Sequence, residues 1–194
     1  MTQDPTINII EKSTASLAVL DIYSKLLQDN IIFINDEIDS DSVSKYQSEI
    51  LYLMSVLEKS KDKTIKIYIN SPGGSLYDAL GLYDIMQLAK NRGFTIRTIN
   101  VGLAASAAAL LLMAGSKGYR ESLPNCTVMV HQLSAGMCGT YSDLETDFKE
   151  KQRLQEKLNN IIKENSCEEL SKVTRDFWMS AEKAKEMNVI DNIV

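Results

Sequence analysis

Residues 101–115 read VGLAASAAALLLMAG, an uncharged run of small and apolar side chains. No other stretch limits the fold as much. A run like this must be buried, yet it falls short of the about 20 apolar residues that span a bilayer. It is expected to be a central helix of a globular chain. It also contains Ser106, which follows a strand ending near Val101 and a turn at Gly102, and sits in the first turn of the helix. A helix start offers free N–H groups and the positive end of the dipole. A serine there can attack a carbonyl while those N–H groups receive the developing oxyanion. A serine in this place also serves simply as a small packing residue. It is not the GxSxG elbow, because Ala104 stands where that motif has glycine.

The segments around the run alternate between strand and helix periods. The spacing predicts helices over 16–28, 39–59, 76–89 and 142–165, and a short one in SAEKAKEMN. It predicts strands at IIFI (31–34), TIKIYIN (64–70), FTIRTINV (94–101), YRES, TVMVH and the final VIDNIV. Ser142 and Glu145 have the spacing of a capping box. Residues 1–12 read as a flexible or extended arm. The pattern is α/β with a largely parallel sheet. At 194 residues, 44% hydrophobic and 24% charged, the chain suits one domain with a sizeable core.

Charge and cysteine usage exclude several classes. A net charge of −5 and a pI near 5.0 give no general attraction to nucleic acid or anionic lipid. Cys126, Cys138 and Cys167 form no CxxC, and His131 is the only histidine, so no zinc site or other metal is expected. The polar N-terminus lacks a secretory pattern, and a cytoplasmic location is the expectation.

Three further elements carry chemistry. In INSPGGS (69–75) a strand meets Gly73 and Gly74, which permit a sharp turn that aims a backbone N–H at a bound group. The loop lacks the lysine of a P-loop and the GxGxxG of a dinucleotide site. His131 ends the strand TVMVH, and any nucleophile–base pair that needs histidine must use it. An acid is needed to orient the imidazole. The residues themselves leave Asp176, Asp143 and Asp147 open for that role.

In order along the chain, DIYSKLLQDNIIFINDEID, IYINSPGGSLYDALGLYDIMQ, GLAASAAALLLMAG, LPNCTVMVHQ and TRDFWMSAEKAKEMNVID resemble segments of the Clp protease proteolytic subunit family. The resemblance implies a crotonase-like α/β fold of stacked βαβ units with a protruding handle helix. It implies one peptidase domain, with an arm or axial loop at 1–15, head at 16–135, handle at 136–168 and closing head segment at 169–194. Carried over, Ser106 is the nucleophile, His131 the base and Asp176 the acid, and the N–H groups of Gly74 and Ala107 form the oxyanion hole. Gly136 to Gly139 would lie in a strand lining bound peptide. Arg175 and Asp143 would serve contacts between subunits of two stacked heptameric rings. An ATP-driven Clp-type AAA+ unfoldase would deliver unfolded polypeptides, so ATP is used by the partner and no cofactor by this chain. A non-catalytic ring subunit and a crotonase-fold acyl-CoA enzyme are the alternatives.

The sequence departs from the family pattern in places. Ala107 replaces a methionine, Leu133 a proline, Ala135 a glycine and Thr174 an acid, and the segment from His131 to Asp176 is shorter by a few residues. The unfoldase-docking positions are Lys66, Tyr68, Ile99, Glu121 and Val194, two of them charged where apolar groups are usual. Burying an apolar docking side chain against bare charge is costly. The usual unfoldase is therefore expected to dock weakly, or a different partner to take its place. The apolar stripe of the 142–165 helix is expected to face a partner.

Overall fold

The computed structural model describes residues 7–12, 17–136 and 138–194. β3 (Ile31–Ile34), β4 (Thr64–Ser71), β5 (Thr95–Ala105), β6 (Arg120–Ser122) and β9 (Asn192–Ile193) lie side by side in that order, all parallel. β7 (Thr127–Val130) also pairs parallel with β5, and β8 (Phe177–Ser180) pairs antiparallel with β7. The expected α/β class with parallel strands is what the chain adopts. Ile65, Ile67 and Ile69 of β4 alternate inward and are fully buried, as the period-2 pattern requires.

β5 organises the rest. Its first half pairs with β6 (Thr98–Asn100 against Arg120–Ser122) and its second half with β7 (Leu103–Ala105 against Thr127–Met129). Where it changes partner the register against β4 shifts, between Ile69–Asn100 and Ser71–Ala104. The Asn70 side chain fills this irregularity, its Oδ1 accepting from Leu103 N at 3.0 Å. A Cβ on Gly102 would come within 2.3 Å of that oxygen, so a larger residue here would have to push the Asn70 side chain out of this place. The turn expected at Gly102 is thus a bulge within a strand that continues to Ala105.

α4 (Ala107–Met113) is buried along its whole length, as its composition requires. It touches β4, β5, α3 (Leu76–Asn91) and α5 (Tyr141–Asn165). α2 (Ser40–Val56) packs on α3 with Val43, Tyr46, Ile50, Leu53 and Met54 inward, and Asp39 and Ser42 close its capping box.

Several helix boundaries differ from expectation, that of the first helix most. Residues 17–21 are a strand, β2 (Leu17–Asp21), paired antiparallel with β1 (Asn8–Lys12). The first helix, α1 (Ile22–Gln28), begins only where Asp21 Oδ1 accepts from Ser24 N. A nearby strand offered LAVL a ladder, and pairing outweighed helix periodicity. The arm over 8–12 is accordingly a paired strand. The capping box of α5 is Thr140 with Asp143, not Ser142 with Glu145. β8 had no counterpart among the expected elements.

The stripe of α5 also turns differently. Leu154, Leu158, Ile161 and Ile162 are buried against the chain's own core. Of the residues expected to face a partner, Leu144 is half-buried and only Phe148, in the first half of the helix, stays exposed; Tyr141 beside it is 83% exposed. α6 (Ala181–Glu186) leads into the C-terminal strand. There Asp191 accepts from Arg120 Nε at 3.0 Å and Arg120 Nη2 at 2.6 Å, while Arg120 Nη1 donates to Asn165 O. Arg120 is 2% exposed, so one paired charge ties β6, the end of α5 and the C-terminal segment together. Among the described residues no helix is long and apolar enough to cross a membrane.

Candidate active site

Ser106 occupies the corner between β5 and α4 with φ 54° and ψ −121°, a left-handed conformation unusual for a residue with a Cβ. It is the helix N-cap, one position before the first turn expected from the sequence. The surroundings hold it there: its N–H donates to Met129 O at 2.8 Å, and its carbonyl accepts from Ala109 N at 3.0 Å. Strain kept in place by its neighbours turns the hydroxyl out of the core.

The same β5–β7 pairing brings in the histidine. Ala105 lies opposite Met129, so Ser106 and His131 leave adjacent strand ends. His131 Nε2 stands 2.7 Å from Ser106 Oγ. The antiparallel β7–β8 ladder pairs Val130 with Phe177, and one further step sets His131 against Asp176. His131 Nδ1 and Asp176 Oδ1 are 3.8 Å apart, beyond a hydrogen bond, and the Asp176 side chain is 61% exposed. Asp147 is exposed on α5, and the Asp143 carboxylate accepts from Thr140 N and Oγ1. That bonding holds Asp143 below the usual carboxylate range. Of the three acids, only Asp176 stands near the imidazole, at 3.8 Å.

The glycine loop closes the other side. A Cβ on Gly73 would stand 2.6 Å from Ala105 O and 2.8 Å from Ser106 Cβ, so the loop lies directly on the serine corner. Gly74 bridges Ile38 in parallel, through Ile38 N to Gly73 O (2.8 Å) and Ser75 N to Ile38 O (2.7 Å). A parallel bridge of this form points the N–H of Gly74 itself away from Ile38. Neither that N–H nor the Ala107 N–H at the start of α4 has an acceptor among the described residues, and both residues line the cavity beside Ser106. Gly74 has φ 152°, and a Cβ there would meet Ile38 O at 2.3 Å. Gly74→Ala is expected to displace this N–H and to slow any acyl transfer at Ser106 by about 100-fold. Kinetics on protein of unchanged oligomeric size would check it.

The cavity holds about 710 Å³. Leu110 and Met113 of α4 and Leu154, Leu158 and Ile162 of α5 make its apolar wall. That α5 lines this cavity was missed in the sequence; the i, i+4, i+8 spacing of Leu154, Leu158 and Ile162 signalled a buried face but not what it faced. Gln132 to Ala135 line the cavity from the segment after His131. Gly136 and Gly139 lie beyond that lining, and the strand expected there is absent among the described residues; Met137 lies outside them. Leu133 N donates to Gln155 Oε1 at 2.6 Å, tying this segment to α5. A proline at 133 would have no N–H to give.

Arg175 is exposed and makes no hydrogen bond or ion pair among the described residues, so it does not meet Asp143 within the chain. Lys66, Tyr68, Ile99 and Glu121 sit in neighbouring strands, with Tyr68 opposite Ile99 and Ile99 opposite Glu121. Tyr68 stacks on Phe33 at 5.2 Å. Glu121 is not bare charge: Arg97 grips it at 2.9 and 2.8 Å. Val194 is exposed at the end of the chain. Among the described residues no cluster could hold a metal ion.

A nucleophile candidate, a base in contact with it and two unengaged N–H groups, set on the ends of parallel strands, are what acyl transfer by an α/β hydrolytic protein requires. The Clp protease family profile matches residues 13–194. The chain is 42% identical over 190 residues to the ATP-dependent Clp protease proteolytic subunit of Bacteroides fragilis, covering 96% of this chain and 89% of that one. It is 42% identical to the subunit of Porphyromonas gingivalis (96% and 83% covered) and 40% identical to subunit 1 of Prochlorococcus marinus (96% and 94%). The chain belongs to the Clp protease family, and its relatives are the proteolytic subunits.

Proposed function

We propose that this chain is a serine endopeptidase, the proteolytic subunit of an ATP-dependent Clp-type protease. The observation that carries the reading is the 2.7 Å contact of His131 Nε2 with Ser106 Oγ beside the unengaged N–H groups of Gly74 and Ala107. His131 takes the Ser106 proton as Oγ attacks the scissile carbonyl. The two N–H groups receive the oxyanion. The imidazolium returns its proton to the leaving amine, and water then hydrolyses the ester by the same route. Asp176 stabilises the imidazolium.

Two stacked heptameric rings in the cytoplasm would enclose these sites, with an AAA+ unfoldase feeding in unfolded chains. Arg175, Asp143 and the exposed Tyr141 and Phe148 are suited to subunit contacts. Because Glu121 is neutralised by Arg97, Lys66 is the charge an unfoldase would meet on the docking face, and docking weaker than usual remains our reading. Tight docking measured by biolayer interferometry would refute it.

The test is covalent labelling of purified protein by a fluorophosphonate, sized by gel filtration, with His131→Ala as control. Labelling of a large oligomer, lost in the variant, supports the reading. A large oligomer that fails to label favours a structural subunit of a mixed ring, the reading to which the 3.8 Å gap at Asp176 lends support. Asp176→Asn is expected to slow labelling by about 100-fold or more, with the oligomer intact.

A further inference from the structure

Lys151 lies on the α5 face that lines the active-site cavity, three residues before Leu154 and seven before Leu158, so one stripe carries a cation and then the apolar wall. It is half-buried and lines two cavities at once: the 710 Å³ one beside Ser106 and an adjoining one of about 230 Å³ that also touches Leu133, Phe148 and Gln155. Two of its polar neighbours are engaged elsewhere, and the exposed Asp147, one turn before it, makes no ion pair with it within 4.0 Å. Glu150 accepts from Tyr77 Oη at 3.0 Å and from Arg153 at 2.8 and 2.7 Å, and is held at about 2 by those bonds. Gln155 is used by Leu133 N and Asn159. Lys151 itself has no hydrogen bond or ion pair within 4.0 Å among the described residues, and adds only a weak field at Glu150. The other charged side chain on the lining, Glu37, is exposed at the glycine-loop side. The cleft is therefore polarised, positive toward α5 and negative toward the loop.

We propose that Lys151 is a specificity-determining residue that selects peptides carrying an acidic side chain next to the large apolar side chain held in the cavity. A half-buried ammonium with an apolar wall on one side lacks part of its hydration, and a carboxylate brought by the peptide replaces it. The apolar group fills the space between α4 and α5, and the acid reaches the junction of the two cavities. The inference rests on the peptidase reading for its purpose but not for its measurement.

The experiment is fluorescence anisotropy of C-terminally amidated, fluorescein-labelled peptides that differ only in Glu or Gln beside a leucine, on full-length Ser106→Ala protein in its oligomeric form. Amidation removes the terminal carboxylate as a competing source of the same chemistry. The Glu peptide is expected to bind about fivefold tighter at low salt, with the preference lost in 0.5 M salt. The ratio falls to about one in Lys151→Met and below one in Lys151→Glu. Taking the ratio within each variant removes any general loss of binding. Equal binding of the two peptides, or a ratio unchanged in Lys151→Met, overturns the proposal. Failure of wild-type protein to label with fluorophosphonate overturns the peptidase reading instead and leaves this ratio measurable.

Discussion

Ser106→Ala is expected to abolish fluorophosphonate labelling and to lower kcat/KM for peptide hydrolysis by about 10⁴-fold or more. The alanine keeps the Cβ, so it inherits the φ of 54° that β7 and α4 impose through Met129 O and the Ala109 N–H. The corner keeps its shape. What disappears is the oxygen that contacts His131 Nε2 at 2.7 Å. The N–H groups of Gly74 and Ala107 can still receive an oxyanion, but no serine oxygen remains to attack and no acyl-enzyme can form. The measurement is labelling and peptidase rate on variant protein with unchanged gel-filtration volume and thermal midpoint. Residual activity within tenfold of wild type would show that another group is the nucleophile.

The largest expected effect on stability lies far from the serine. Asp191→Asn is expected to destabilise the fold by about 3 kcal/mol, because it leaves Arg120 buried without its counter-charge. Arg120 is 2% exposed and Asp191 20%, so solvent relieves little of that loss. Partial burial pushes the Asp191 carboxyl up, but hydrogen bonds and charge from Arg120, with a bond from Gly118 N, outweigh it and leave it below its ordinary value of 3.8. A depressed folded-state value means the pair's contribution is present above the unfolded value and lost as pH falls through the folded one. Wild-type protein should therefore lose stability below about pH 4, and the variant should lose less over that window. Urea unfolding of both proteins at neutral pH and between pH 5 and 3 checks this. Equal midpoints at neutral pH would show that Asn165 O alone satisfies the arginine.

Legibility tracked how local each feature is. Alternation in TIKIYINS and the helical spacing of Val43, Tyr46, Ile50 and Met54 described β4 and α2 to within a few residues, because a strand or helix that buries one face writes its period into the chain. Leu17 to Asp21 misled for the same reason. Short apolar runs suit either period, and the partner strand that decided the matter is not local.

The sequence by itself determined the buried helix, the serine at its start, the glycine loop and the histidine, since any mechanism that needs a histidine has only this one to use. It also determined the α/β class and the family resemblance. Residue types alone did not decide which acid faces that histidine; the resemblance pointed to Asp176, and the tertiary structure puts it there. Asp176, Asp143 and Asp147 are equivalent as residue types; the β7–β8 register sets one of them against the imidazole, while Thr140 holds another in a helix cap. The tertiary structure also decided that Leu154, Leu158 and Ile162 of the α5 stripe line the cavity while Phe148 stays exposed, that Glu121 has Arg97, and that Lys151 lies on the cavity lining. Each depends on which strand ends and helix faces meet, and those meetings join residues far apart in the chain that no local period relates.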